Sequence, residues 1–135
     1  NELFKYILDG QSKGIFSGRV MVKQNAQKTA SYQTNKNMCL SADAKMYTKP
    51  QLEIYADDVK CSHGATTGQL DENAMFYLRS RGLSKNEARL LLLQAFTADV
   101  TENINVSALK ERVKMLVESR LRNEQPKCMS CAMCK

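Results

Sequence analysis

Three short segments of the chain share one pattern, and their spacing limits the fold more than any other feature. Asn25-Ala26-Gln27-Lys28, Asp43-Ala44-Lys45-Met46 and Asp58-Val59-Lys60-Cys61 each open with Asn or Asp, residues whose side chains bond their own backbone in turns. Their starts lie 18 and 15 residues apart, too regular for random loops. A strand-helix-strand unit needs about thirty residues, so that spacing excludes one between successive segments. A short strand-like run precedes each segment: Val20-Met21-Val22, Met38-Cys39-Leu40 and Leu52-Glu53-Ile54-Tyr55. Another short strand follows each turn, and Leu3 to Leu8 with Asp9-Gly10 behind it reads as one more strand and tight turn. Stacked strand-turn-strand coils satisfy this spacing, and a parallel β-helix or a related solenoid is expected over residues 1–70. In such a stack Ala26, Ala44 and Val59, then Met46 and Cys61, are expected to form inward columns. An open end of the stack leaves an unpaired strand edge, so the isolated chain is expected to form a homodimer by strand addition.

From Asp71 the apolar period changes from two to that of a helix. Asp71 reads as the N-cap of a helix running through Arg81, with Gly82 ending it. Ser84-Lys85-Asn86-Glu87 is a capping box opening a second helix. Its Ala88, Leu91, Leu92, Ala95, Phe96 and Val100 share one face, widened by Leu90 and Leu93, which predicts a largely buried helix. A third is expected from about Val106 to Arg122, with Glu118 and Arg122 as an i,i+4 ion pair. The expected organisation is thus mixed β then α: coils over 1–70, a C-terminal domain of about three helices over 71–125, and a tail over 126–135.

Composition narrows the function. The 135 residues carry a net charge of +6, spread evenly: nine Lys/Arg against six Asp/Glu up to residue 70, and eleven against eight beyond it. Nucleic-acid binding by counterion release calls for cations along one track, so no nucleic acid is expected as a partner. The longest apolar run is five residues, Ala74 to Leu78, against the roughly twenty of a membrane-spanning helix, so no membrane partner is expected. The start Asn1-Glu2-Leu3-Phe4 lacks Met, a basic run and an apolar run, as expected of a piece of a longer chain without a secretion signal. An odd number of cysteines, five, in a chain that needs no staples fits reduced thiols and a cytoplasmic location.

The reactive residue types are few. Cys39 lies between Met38 and Leu40 and reads as a buried structural thiol. His63 is the only histidine, and on one strand with Cys61 it points to the same face. That geometry permits a shared ligand site and equally an ordinary inward column. Cys128, Cys131 and Cys134 have the spacing of the first three ligands of a bacterial ferredoxin cluster, with the fourth missing. They are a candidate zinc or cluster site completed from elsewhere, or an exposed, oxidation-prone tail. Asp57 and Asp58 are adjacent, and neighbouring strand residues point to opposite faces, so turn formation is expected of them rather than acid-base chemistry. No phosphate-binding loop or serine-hydrolase elbow is present, so ATP hydrolysis would have to come from a partner.

The stretch from Leu52 to Thr66, with Cys61-Ser62-His63-Gly64 inside it, continues through Gly68-Gln69 to Phe76-Tyr77-Leu78-Arg79-Ser80-Arg81-Gly82. It closely resembles the C-terminal part of the SufD branch of the SufB/SufD family of iron-sulfur cluster assembly proteins. Gly18-Arg19-Val20, Gln27-Lys28-Thr29 and Thr48-Lys49-Pro50-Gln51 carry the resemblance upstream, over roughly residues 3 to 125. The resemblance implies a right-handed parallel β-helix followed by a helical domain, and a non-catalytic scaffold subunit. It implies pairing with a SufB-like subunit through the β-helix and docking of a SufC-like ATPase through the helices. His63, and less firmly Cys61, are carried over as residues at the subunit interface where the nascent cluster forms. Phe76, Tyr77, Leu78, Arg79, Arg81 and Gly82, with the second helix, are carried over as the ATPase-docking surface. No tightly bound cofactor is expected, only iron or an iron-sulfur cluster held in transit. The cysteine tail departs from the family pattern. Two other readings stay open at this level: a β-helical carbohydrate-active enzyme using Asp57 or Asp58, and a metal-binding module centred on the tail.

Overall fold

The computed structural model describes residues 1–124. These form two compact units, one over Asn1–Leu70 and the other from Asp71 onward, taken separately below. Cys128, Cys131 and Cys134, and the 126–135 tail, lie outside the described residues.

The first unit holds five strands: β1 (Glu2–Leu8), β2 (Lys13–Val22), β3 (Ala30–Cys39), β4 (Lys45–Ile54) and β5 (Lys60–Gly68). Successive strands alternate between two parallel sheets, ordered β1-β3-β5 and β2-β4. Register partners lie 30 to 32 residues apart, as in Glu2 with Gln33, Lys13 with Lys45 and Ala30 with Lys60. The repeat is therefore a pair of strands, and the 15-to-18-residue spacing in the sequence is half of it.

That finding corrects the expected columns. The segments at 25 and 58 stack on each other: Lys28 N donates to Asp58 O at 2.6 Å, and Asp58 N donates to Gln27 Oε1 at 2.9 Å. The segment at 43 belongs to the other corner, where Ser41 Oγ donates to Gly10 O at 2.6 Å and Lys45 N to Ser12 O at 3.0 Å. Ala44 thus shares no column with Ala26 and Val59, and Met46 and Cys61 lie in different sheets. Both corners need residues that tolerate tight turns, so both open with Asn or Asp and look alike in sequence.

Alternation along the strands buries Leu8, Phe16, Val22 and Cys39, with Ala44 and Ala56 at the corners. Leu8, Cys39 and Ala44 form one cluster with Tyr6 and Met46 packed against it, and the Phe4 and Phe16 rings lie 5.0 Å apart. The buried thiol expected at Cys39 is present. The interior of β3 is polar instead: Gln33, Asn35 and Asn37 are all buried. Asn37 Nδ2 donates to Asn35 Oδ1 at 2.7 Å, to Thr66 O at 3.1 Å and to Thr67 Oγ1 at 3.3 Å, tying the end of β5 to β3. Gly18 makes room for this lane, since a Cβ there would sit 2.5 Å from Gln33 Oε1 and 2.7 Å from Phe16 Cζ. Strands of nine or ten residues replace the shorter runs expected, because Ser31 to Asn37 carries no apolar alternation.

The second unit holds α1 (Glu72–Ser80), α2 (Lys85–Thr101) and α3 (Ser107–Leu121). Asp71 Oδ1 accepts from Asn73 N at 2.8 Å and Ala74 N at 3.2 Å. Gly82 at φ +94° ends α1, a conformation without steric penalty only for glycine. Both arms of the Ser84–Glu87 capping box are formed. The ion pair between Arg122 Nη2 and Glu118 Oε1 closes at 2.8 Å. Of the face expected for α2, Ala88 and Leu93 are buried but Leu91 and Val100 are exposed, and Thr101, not expected there, is buried as well. Four consecutive leucines, 90–93, put apolar side chains all round the helix, so periodicity alone cannot fix its inner face.

Candidate functional site

β5 is the edge strand of its sheet, hydrogen-bonded to β3 on one side only. It carries Cys61 and His63 two residues apart, and therefore on the same side of the sheet. Their register partners on β3 are Ser31 and Gln33, the latter buried, so both face the side on which Gln33, Asn35 and Asn37 are enclosed. Cys61 is half-buried and His63 exposed, because among the described residues no further strand follows β5 in the sheet to cover them. From Cys61 to Gly68 the strand has no charged residue and no proline, so nothing in it opposes pairing with another strand.

The row behind His63 runs Glu2, Gln33, His63 across the three strands. Gln33 Nε2 donates to Glu2 Oε2 at 2.7 Å, and since a carboxylate can only accept, the bond fixes which end of the amide is the nitrogen. Sequence reasoning missed Glu2 and Gln33; the signal for them is the 30-to-31-residue offset, invisible until the repeat is recognised as a strand pair. Among the described residues no three His, Cys, Asp or Glu side chains come together as a metal site. Cys61 and His63 are a thiol and an imidazole, residue types suited to iron, and the two alone fall short of the three or more groups of a metal site.

The other candidate residues lie at the end of α1. Phe76 and Tyr77 are 74% and 57% exposed, large for aromatic side chains. The Arg81 guanidinium carbon lies 5.1 Å from the Tyr77 ring centroid, a cation-π contact that holds both at the surface. Arg79 is exposed beside them, while Leu78 is half-buried. Leu78 O accepts from Arg81 N and Leu83 N, so Leu78 and Gly82 shape the helix end rather than present a side chain. Glu102 at the end of α2 joins Lys114 Nζ at 2.6 Å and Lys110 Nζ at 3.2 Å on α3. The Lys114 bond foremost, then Lys110, holds the Glu102 carboxyl below its usual range, and Glu102 in turn raises Lys114.

Asp57 and Asp58 lie in the corner between β4 and β5, where both backbone groups of Asp58 bond the Gln27–Lys28 corner beneath.

Residues 1–96 match the family described as SUF system FeS cluster assembly, SufBD core domain. The chain is 47% identical over 120 residues to an iron-sulfur cluster assembly SufBD family protein of Synechocystis, covering 89% of this chain and 26% of that protein. It is 44% identical over 120 residues to the iron-sulfur cluster assembly protein SufD of Escherichia coli, covering 89% of this chain and 28% of that one. Against the chloroplastic protein ABCI7 of Arabidopsis thaliana, identity is 35% over 121 residues, covering 89% and 26%. The chain thus spans little more than a quarter of the length of these relatives. With the family match extending over most of its length, the chain belongs to the SufBD core-domain family of the SUF iron-sulfur cluster assembly system.

Proposed function

We propose that this chain is the C-terminal part of a non-catalytic scaffold subunit for iron-sulfur cluster assembly, acting in the cytoplasm. In this reading the two parallel sheets over 1–70 are the terminal coils of a right-handed parallel β-helix, and residues 71–125 are its C-terminal helical domain. β5 is the strand that meets a SufB-like subunit. His63, with Cys61 beside it, offers ligands from this side of the joint, and iron or a nascent cluster is the cargo, held in transit. A SufC-like ATPase docks on the helical domain, where Phe76, Tyr77, Arg79 and Arg81 supply exposed aromatic and cationic contacts and Leu78 with Gly82 set the helix end. Without its partner, the chain pairs with a second copy through the same strand edge.

The observation that supports this reading best is an exposed imidazole on an edge strand that carries no Asp, Glu, Lys or Arg from Cys61 to Gly68 and, among the described residues, has no strand on its outer side. Its test is His63→Ala in the full-length protein, co-expressed with the SufB-like and SufC-like partners. The complex should assemble with unchanged mass on size exclusion. Anaerobic reconstitution with iron and sulfide should then yield a much weaker charge-transfer absorption than wild type. Undiminished absorption from an intact complex would remove His63 from the assembly site, and an unfolded variant would make it a packing residue.

A further inference from the structure

The outward face of the β2-β4 sheet carries a pattern that the cluster-assembly reading does not use. Alternation along the strands turns five register pairs outward: Lys13 with Lys45, Ile15 with Tyr47, Ser17 with Lys49, Arg19 with Gln51, and Met21 with Glu53. Ile15 is 74% and Tyr47 56% exposed, directly opposite each other. The first row sets two lysines side by side about 4.8 Å apart, an arrangement that destabilises a sheet. Within the described residues no ion pair engages Lys13, Lys45 or Lys49, while the one acid of the face, Glu53, holds Arg19 at 3.3 Å. The face is therefore cationic above and below an apolar pair. Its like-charge row costs stability, and among the described residues no acidic side chain offsets it.

We propose that this face binds an extended, acidic segment of a partner protein laid along the strands. Rows on one side of a strand repeat every 6.6–6.8 Å or so, the same repeat as alternate side chains of an extended peptide. A carboxylate over the Lys13–Lys45 row, an apolar side chain over Ile15 and Tyr47, and a second carboxylate over Lys49 match the face row by row. The recognised pattern is acid, any residue, apolar, any residue, acid. The apolar pair at the centre favours a peptide over a nucleic acid, whose phosphates would be matched only by a continuous cationic track. The proposal is independent of the role assigned to His63.

The probe is a fluorescein-labelled peptide with Glu-Ser-Leu-Ser-Glu at its centre, titrated into the full-length protein and read by anisotropy at low salt. Saturable binding is expected, weakened about tenfold or more by Lys13→Gln with Lys45→Gln, and comparably by Ile15→Ser with Tyr47→Ser. Lys60→Gln on β5 should leave it unchanged, and circular dichroism should show all variants folded. Replacing the two Glu by Gln, or the Leu by Ser, should weaken binding to a similar degree. No saturable binding, equal binding by folded variants and wild type, or tighter binding of a single-stranded oligonucleotide that displaces the peptide would each overturn the proposal.

Discussion

Asn37 is the buried residue whose loss is best defined in advance. Its Nδ2 serves three acceptors, Asn35 Oδ1, Thr66 O and Thr67 Oγ1. Asn37→Ala strips the partner from Asn35 Oδ1, on a residue with 0% exposure whose Nδ2 is itself unpartnered. Leaving one buried polar atom unsatisfied costs about 1–3 kcal/mol. The truncation adds roughly 1 kcal/mol for lost packing, while Thr66 and Thr67, on an exposed strand, regain water and add little. Deleting Asn37 Oδ1, itself buried without a partner, returns about 1 kcal/mol, so the expected sum is about 1–3 kcal/mol, which corresponds to exchange roughly 5- to 140-fold faster at amides that open with this unit. Replacing both amides, Asn35→Leu with Asn37→Leu, keeps the branching of each side chain and removes the unsatisfied groups along with the bonds, so it is expected to cost less than Asn37→Ala. Native-state hydrogen exchange on the amides of β3 and on Thr66–Gly68 measures both variants without assuming that the two units unfold together. If Asn37→Ala exchanges within about threefold of wild type, or if the double leucine variant is the less stable of the two, the polar lane does not hold the unit together as argued.

Two further outcomes follow from the same geometry. Lys28 sits at φ 62°, in the left-handed region, with its N–H committed to Asp58 O, so Lys28→Gly keeps the bond and relieves the conformation. It should raise stability by up to about 1 kcal/mol, seen as a higher melting midpoint; a lower midpoint would refute the account. Glu102, with its carboxyl lowered mainly by Lys114, contributes stability present above its unfolded titration point and lost as pH falls through the lower folded one. Acid titration of the helical unit followed at 222 nm should therefore show a loss as pH falls below the ordinary glutamate range that Glu102→Gln reduces, and an identical profile in the variant would count against it.

How much was legible in the sequence depended on whether the signal was local. The caps of the helices were, because Asp71, Ser84–Glu87 and Gly82 act on backbone groups within a few residues of themselves. The parallel strands and their turns were legible from Asn and Asp at 25, 43 and 58, but not the length of the repeat. Two different corners use the same turn chemistry, and only pairing across about 31 residues tells them apart. β3 was the hardest strand to see, since Gln33, Asn35 and Asn37 point inward and reverse the usual sign of the alternation. His63 and Cys61 were found as residue types, whereas their neighbours Glu2 and Gln33 had no local mark. The inner face of α2 was hidden by the leucines at 90–93, all of which satisfy any choice of stripe.

The strand count in the two sheets is unequal, three against two. Among the described residues no strand follows β5, so at that edge one sheet runs a strand beyond β4, the last strand of the other. A single strand added beside β5 would leave the edge of β4 uncovered, so a chain that covers both edges has to present two strands offset from each other by one strand.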